Sequence, residues 1–142
     1  MTTPQDLGQA AAFLASMPHA TLLGMRLDAI SAGRAEVSMP YDPRFVGDRA
    51  TGVMHGGAVS ALMDTACGWA VMGHPDRPAG TATIDLRIDY MRAAVPGQRI
   101  TARAECHHIT RTVAFVRAVA CDDDQTRPVA TATAAFTVER AT

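Results

Sequence analysis

The hydrophobic positions change period several times along the chain, and each change marks an element. Over the first seventeen residues Leu7, Ala11, Leu14 and Ala15 fall on one helical face, with Pro4 near the start, where a helix tolerates proline. Pro18 is expected to end that helix. Residues 22–30 and 34–39 read as two strands around a hairpin turn at Ser31, Ala32 and Gly33. In the second, Ala35, Val37 and Met39 alternate with Arg34, Glu36 and Ser38. Prolines and glycines break any period over residues 40–52, which predicts a loop. Residues 57–73 are apolar nearly all round and read as one long helix, followed by a turn-rich linker to Gly80. Four strands then follow in succession. In the first, Ile84, Leu86, Ile88 and Tyr90 alternate with Asp85, Arg87, Asp89 and Met91; the others span residues 99–109, 112–121 and 129–138, with turns at Pro96-Gly97 and at Asp122-Asp123-Asp124.

Such alternation indicates an antiparallel sheet with one covered face. A helix that is apolar nearly all round must be enclosed, not merely laid on a surface. A curved antiparallel sheet wrapped around one long central helix satisfies both demands, so the predicted fold class is α+β. No repeat, low-complexity tract or linker divides the chain. It reads as one domain over residues 1–142, with an N-terminal helix to residue 18 and a core over 19–140.

Composition narrows the function. A chain of 142 residues that is 48% hydrophobic can bury a substantial core. Thirteen basic residues, all Arg, against fourteen acidic ones give a net charge of −1, which argues against nucleic-acid binding through bulk charge. That balance leaves room for a small Arg cluster gripping one phosphorylated ligand. Cys67, Cys106 and Cys121 are odd in number and contain no CxxC pair, so neither a disulfide framework nor a zinc site is expected. The first twenty residues put no basic residue ahead of their apolar part and make a poor signal peptide. Residues 53–73 lack Lys, Arg and Glu, but His55, Asp64 and two adjacent glycines interrupt them; they read as a helix buried in protein and not in a membrane. A cytoplasmic protein is the expectation.

The chemistry concentrates on the long helix. Stepping 100° per residue puts Ala58, Leu62, Ala66, Trp69 and Gly73 on one stripe, taken as the core side, and Ser60, Asp64, Cys67, Gly68 and Val71 opposite. Asp64 is the only acidic or basic residue between His55 and His74. A carboxylate in such surroundings must be paired, hydrogen-bonded or shifted in pKa, and small neighbours leave a slot beside it. At the start of the helix, Gly56 and Gly57 let a carbonyl oxygen approach N–H groups that have no intrahelical partner and sit at the positive end of the helix dipole. This is oxyanion-hole geometry. Asp64 stands two turns further on, about 10 to 12 Å of rise, too far to share one carbonyl carbon with those glycines of its own chain. A dimer that takes the glycines from one subunit and the carboxylate from the other removes the difficulty.

The string HGGAVSALMDTACGWA resembles the central-helix signature of the hotdog-fold thioesterases, specifically the group typified by the phenylacetate-pathway acyl-CoA thioesterase. TATIDLRIDYMRAAVPG resembles that family's next strand and VATATAAFTV its last, so the similarity covers roughly residues 20–138. The resemblance implies a hotdog fold, homodimers that assemble to homotetramers as dimers of dimers, and hydrolysis of an acyl-CoA thioester to a carboxylic acid and coenzyme A. It implies Asp64 as nucleophile or general base, the Gly56 N–H as the group polarising the carbonyl, and a site spanning two subunits. Coenzyme A enters only as part of the substrate; no metal or other cofactor is implied. Many members carry an Asn shortly before His-Gly-Gly that positions substrate or water, where Asp48 and Arg49 stand here.

Other readings stand beside these. Asp64 is either a reactive carboxylate or a structural one tied to Arg87 or Arg92. His55 and Gly57 are expected to shape the substrate site. Arg92 and Arg111, at strand ends, either contact coenzyme A phosphates or face solvent. Cys67 reads as a small core residue and Trp69 as core. His107 and His108 point to opposite faces of a strand, and Asp122–Asp124 read as a solvated turn. Two alternative functions remain: a hydratase or dehydratase on the same fold, which needs a proton-shuttling His near residue 55, and a non-catalytic acyl-CoA-binding module.

Overall fold

A computed structural model describes residues 4–142, with side chains from Leu7 onward. Helix α1 (Pro4–Ser16) is followed directly by a short helix α2 (Pro18–Leu23). Pro18 therefore opens a helix, because proline fits the first helical position, where no N–H is needed. The expected strand over residues 22–30 shrinks accordingly to β1 (Arg26–Ser31), after Gly24 caps α2 at φ +67°. Then come β2 (Arg34–Met39), a 3₁₀ turn (Pro43–Phe45), the short hairpin β3 (Val46–Asp48) and β4 (Val53–Met54), and the long helix α3 (Gly56–Met72). The chain finishes with β5 (Thr83–Tyr90), β6 (Ile100–Ile109), β7 (Val113–Cys121) and β8 (Ala130–Thr137).

Six strands form one antiparallel sheet in the order β1-β2-β6-β7-β8-β5. The sheet wraps one side of α3; the expected full enclosure is not reached within the chain, and Asp64, Thr65, Gly68, Trp69 and Met72 on the other side stay half-buried. The inner face of the sheet is unusually small. Ala102, Ala104, Ala118, Ala120, Ala130, Ala132 and Ala134 are all buried there, so the backbone layers approach closely and the sheet can curl around the helix. This is the hotdog fold.

The buried stripe of α3 consists of Ala58, Val59, Leu62, Met63, Ala66, Cys67, Ala70 and Val71. It is rotated from the expected one. Cys67 and Val71 lie in the core, and Trp69 lies half-buried on the side of Asp64. Adjacent pairs such as Leu62-Met63 and Ala66-Cys67 share the inner face, which centres it about half a residue step away from the single-residue stripe drawn through Trp69.

Strand β5 also differs from expectation. Its alternation predicts one covered face, and Leu86 and Ile88 do pack half-buried against the core; but β5 is an edge strand paired only with β8, and Ile84 and Tyr90 at its ends are 56% and 50% exposed. An edge with apolar side chains on it invites a further strand.

Candidate active site

A helix leaves its first four N–H groups without intrahelical acceptors, and in α3 each can be followed. The His55 N–H donates to the Phe45 carbonyl at 2.8 Å. The Gly57 N–H donates to Nδ1 of His55 at 2.8 Å, and the Ala58 N–H to the His55 carbonyl at 3.0 Å. Among the described residues the Gly56 N–H alone has no partner. It is the one uncommitted donor at the positive end of the helix. The structure thus separates two glycines that the sequence presented together: Gly57 has its N–H taken up by the cap, and Gly56 has its own to offer.

His55 owes its position to the β3–β4 hairpin, where a Cβ on Gly47 would lie 2.9 Å from the His55 Cα. Since its Nδ1 accepts a hydrogen bond, the neutral ring carries its proton on Nε2, and protonating Nδ1 would break the cap. This suits a residue that shapes the helix start.

Asp64 lies on the same helix, about 12 Å of rise beyond Gly56. It is half-buried, and its Oδ1 accepts a hydrogen bond of 2.7 Å from Thr83 Oγ1. A register shift between Thr83 and Asp85 lets this strand start hand its hydroxyl to the helix. Among the described residues Asp64 Oδ2 has no partner, and no guanidinium reaches the carboxylate. Arg87 pairs with Asp89 at 3.1 Å and Arg92 with Asp122 at 2.7 Å, so both candidates for a structural ion pair are engaged elsewhere. Asp64 opens onto an apolar cleft of about 560 Å³ walled by Phe13, Met17, Trp69, Met72 and Phe136 and by the 79–83 segment. Phe13 meets Trp69 edge-on, 6.0 Å between ring centroids.

Cys67, one turn away, is fully buried, and burial followed by the nearby Asp64 charge pushes its thiol up to about 12. It is a core residue with no thiolate to offer. His107 and His108 are both exposed, and a bulge between Cys106 and His108 interrupts the alternation expected there.

The other expected positions stand apart from this cleft. Arg92 makes a two-pronged pair with Asp122, 2.7 Å on each arm, and also donates to the Arg127 and Ala93 carbonyls. Asp122 is accordingly no solvated turn residue. It is 1% exposed and accepts the Val95 and Asp124 N–H groups as well, and the Arg92 hydrogen bonds hold its carboxyl well below the usual carboxylate range. Burial of the acid demanded this partner, and one thirty positions upstream leaves no mark in the local sequence. Arg111 is exposed in the β6–β7 turn, where its carbonyl accepts from Arg140. Asp48 accepts the Ala50 N–H and the Thr51 hydroxyl, and so closes its own turn; Arg49 beside it is exposed.

Four residues at or near the site escaped the sequence reading: Thr83, Tyr90, Phe13 and Met17. Tyr90 donates its hydroxyl to the Gly56 carbonyl at 2.7 Å. Phe13 falls off the apolar face drawn through Leu7, Ala11, Leu14 and Ala15, the one local sign of a second role, and nothing local marks the two hydroxyls.

The wrapped helix, the lone donor at its start and the carboxylate on an apolar cleft are features of thioester hydrolases, and the chain belongs to the thioesterase superfamily, whose family model matches residues 51–129. Among characterised relatives it is similar to the medium/long-chain acyl-CoA thioesterase YigI of Escherichia coli K12, 30% identical over 139 residues, which cover 89% of this chain and 88% of that one. A solved structure from Pseudomonas aeruginosa is 36% identical, with a TM-score of 0.81 over 92% of this chain and 97% of the other. The PaaI protein of the E. coli phenylacetic acid degradation operon superposes with a TM-score of 0.84 over 99% of both chains; at 21% identity it bears on the fold alone.

Proposed function

We propose that the protein is an acyl-CoA thioesterase whose site is built by two copies of the chain, Asp64 from one and the Gly56 N–H from the other. The observation that carries this reading is the course of β5. Its Thr83 end touches Asp64 and its Tyr90 end touches Gly56. When the free edge of β5 pairs antiparallel with the same edge of a second copy, the Thr83 end of one strand comes to the Tyr90 end of the other. Neighbouring strands lie about 4.8 Å apart. The acid and the donor, separated by about 12 Å along one helix, then meet across the interface. The apolar residues exposed on β5 are covered in the same step. A homodimer is therefore the working unit, and a dimer of dimers a natural larger assembly.

In this site the thioester oxygen accepts from the Gly56 N–H, and Asp64 either takes a proton from water or attacks the carbonyl carbon to give a mixed anhydride. The C–S bond breaks and coenzyme A leaves as the thiolate. Side chain and backbone supply both functions, so the reading calls for no metal or redox cofactor. Thr83 holds the carboxylate in its rotamer. The acyl chain runs from Asp64 past Trp69 to Met72 in the apolar cleft, roughly 12 Å along the helix, which suits about eight to ten carbons. That accords with a relative named for medium and long chains. The three cysteines are free and buried, which accords with the cytoplasm, and among the described residues no helix is long and apolar enough to cross a membrane. A hydratase is less well served, since the His55 ring is engaged in capping the helix. A mere acyl-CoA-binding module leaves the open Asp64 Oδ2 without a purpose.

Subunit complementation tests the two-chain site. Asp64→Asn removes the acid. Gly56→Pro removes the N–H at the first helical position, where the proline backbone fits, and its ring needs the Tyr90 ring, 3.3 Å from the new Cβ, to give by a few tenths of an ångström. Each variant alone is expected to release little thiol from decanoyl-CoA. Particles carrying both chains, purified through two affinity tags after co-expression, regain one intact site per mixed dimer and about half the wild-type rate per dimer. Mixed particles as inactive as the parents would place acid and donor in one chain and overturn the reading.

A further inference from the structure

The bonds around Gly56 are more numerous than a helix start needs. Its carbonyl accepts from Tyr90 OH at 2.7 Å and from Ser60 Oγ at 3.1 Å, and the two hydroxyls also touch each other. Two hydroxyl protons serve three contacts, so one hydroxyl donates to the other and the second donates to the carbonyl. In either arrangement the Gly56–Gly57 peptide plane is gripped at both ends, by a hydroxyl on its oxygen and by His55 Nδ1 on its N–H.

Glycine at this position is both required and soft. A Cβ there would lie 3.3 Å and 3.4 Å from Tyr90 ring atoms, tighter than ordinary contact, so the tyrosine leaves little room for a side chain. Without one, the residue has the greatest backbone freedom of any type, and the peptide that carries its N–H is held only at the far end, where the His55 carbonyl accepts from the Ala58 N–H. An oxyanion donor works only when it is already aimed.

We propose that Tyr90 is a positioning residue for the oxyanion donor. Its hydroxyl, relayed with Ser60, fixes the Gly56–Gly57 plane; with the His55–Gly56 plane held at its carbonyl by the Ala58 N–H, this sets the φ and ψ of Gly56, so that the one uncommitted N–H of the helix start points in a single direction. This rests on the reading of Gly56 as the donor. The tyrosine has its own reason to be where it is. It ends β5, the strand that carries the proposed interface, so the element that brings the second subunit's carboxylate to the site also holds the donor in aim.

The experiment reads the donor directly. In the full-length protein carrying Asp64→Asn, so that substrate is not consumed, the infrared band of a ¹³C-labelled thioester carbonyl is recorded free and bound, with Tyr90 present and with Tyr90→Phe. With Tyr90 the bound band is expected to fall to lower frequency. With Tyr90→Phe the fall shrinks and the band broadens. In the otherwise wild-type enzyme Tyr90→Phe lowers kcat roughly tenfold, as loss of aim does, with KM within about twofold. Ser60→Ala, which leaves the ring in place, gives a smaller loss in the same direction and serves as the reading should Tyr90→Phe fail to fold. A Tyr90→Phe enzyme with lower Tm but unchanged kcat and an unchanged band would make the tyrosine a structural strut and overturn the proposal. A bound band that does not shift even with Tyr90 present would overturn the Gly56 assignment and this proposal with it.

Discussion

Asp64 and Asp122 are the same residue type under opposite treatment. Asp122 is sealed from solvent, and every approach to its carboxylate is filled by a guanidinium fork and two backbone N–H groups. Asp64 is half-buried beside an apolar cleft, with one threonine hydroxyl on one oxygen and none on the other. A buried charge that is fully satisfied contributes to structure and has nothing left to offer a ligand. A charge held on one side and open on the other can act on what enters. Hydrogen-bond saturation, more than burial, separates the structural acid from the one proposed to react.

The exchange of each acid for its amide is the strongest way to break this contrast. Asp64→Asn keeps the shape and the Thr83 contact but removes the base, so kcat should fall about 10³-fold or more, some 4 kcal/mol of transition-state stabilisation. Its Tm should stay within about 2 °C of wild type, because no ion pair is broken. Asp122→Asn should do the reverse. It strands the Arg92 guanidinium, 19% exposed, and is expected to cost about 3 kcal/mol, or a fall in Tm of roughly 6 to 12 °C, with kcat unchanged wherever the variant is folded. Calorimetry and a thiol-release assay on both variants decide it. An Asp122→Asn enzyme that is stable but inactive would reverse the assignment of the two acids.

Acid sharpens the same contrast. The folded-state pKa of Asp122 is lowered, chiefly by the Arg92 hydrogen bonds, so its contribution is fully present above the unfolded carboxylate value of about 4 and is lost as pH falls through the folded value. The Tm gap between wild type and Asp122→Asn should be widest near neutrality and close progressively below about pH 4. A gap that stayed constant down to pH 3 would mean that the pair does not stabilise the fold through its charge.

Thr83 sets a smaller effect. Among the described residues its hydroxyl is the one hydrogen-bond partner of the Asp64 carboxylate, so Thr83→Ala should lower kcat roughly tenfold with KM nearly unchanged, and Thr83→Ser should restore most of the loss. Steady-state kinetics on the pair measures it; an alanine variant at full kcat would show that the carboxylate needs no such support.

Much of this arrangement was legible along the chain. A lone acid on an otherwise uncharged helix, with two glycines at its start, singled out Asp64 and Gly56 by local rules, and period and turn residues marked most strands. What stayed hidden depended on distant partners. Thr83 reaches Asp64 only through a register shift at the start of β5. Asp122 looked like a solvated turn because its guanidinium comes from residue 92. The core side of α3 was drawn through Trp69, since a single-residue stripe cannot show which flank of the helix the sheet will cover. The alternation of β5 marks a face that the core covers at Leu86 and Ile88 and leaves open at Ile84 and Tyr90, because period alone does not tell an edge strand from a central one.

Trp69 and Phe13 carry the finest test, because the rotation of the helix takes Trp69 out of the expected core stripe and sets it edge-on to Phe13 as adjoining walls of the Asp64 cleft. The Phe13 ring is 63% exposed, so it contributes little to folding, and the proposed acyl path gives it a place in the cleft wall. Phe13→Ala removes the wall beside Trp69, which on the proposed acyl path lies beyond the first few carbons. A short acyl chain never reaches that wall, and its kcat/KM should be unchanged. A ten-carbon chain loses apolar contact there, worth about 1 kcal/mol, so its kcat/KM should fall roughly threefold to tenfold. The ratio of decanoyl-CoA to butanoyl-CoA turnover isolates that term from any general loss. An equal fall for both chains would mean that α1 merely supports α3, and the acyl path would have to leave Asp64 in another direction.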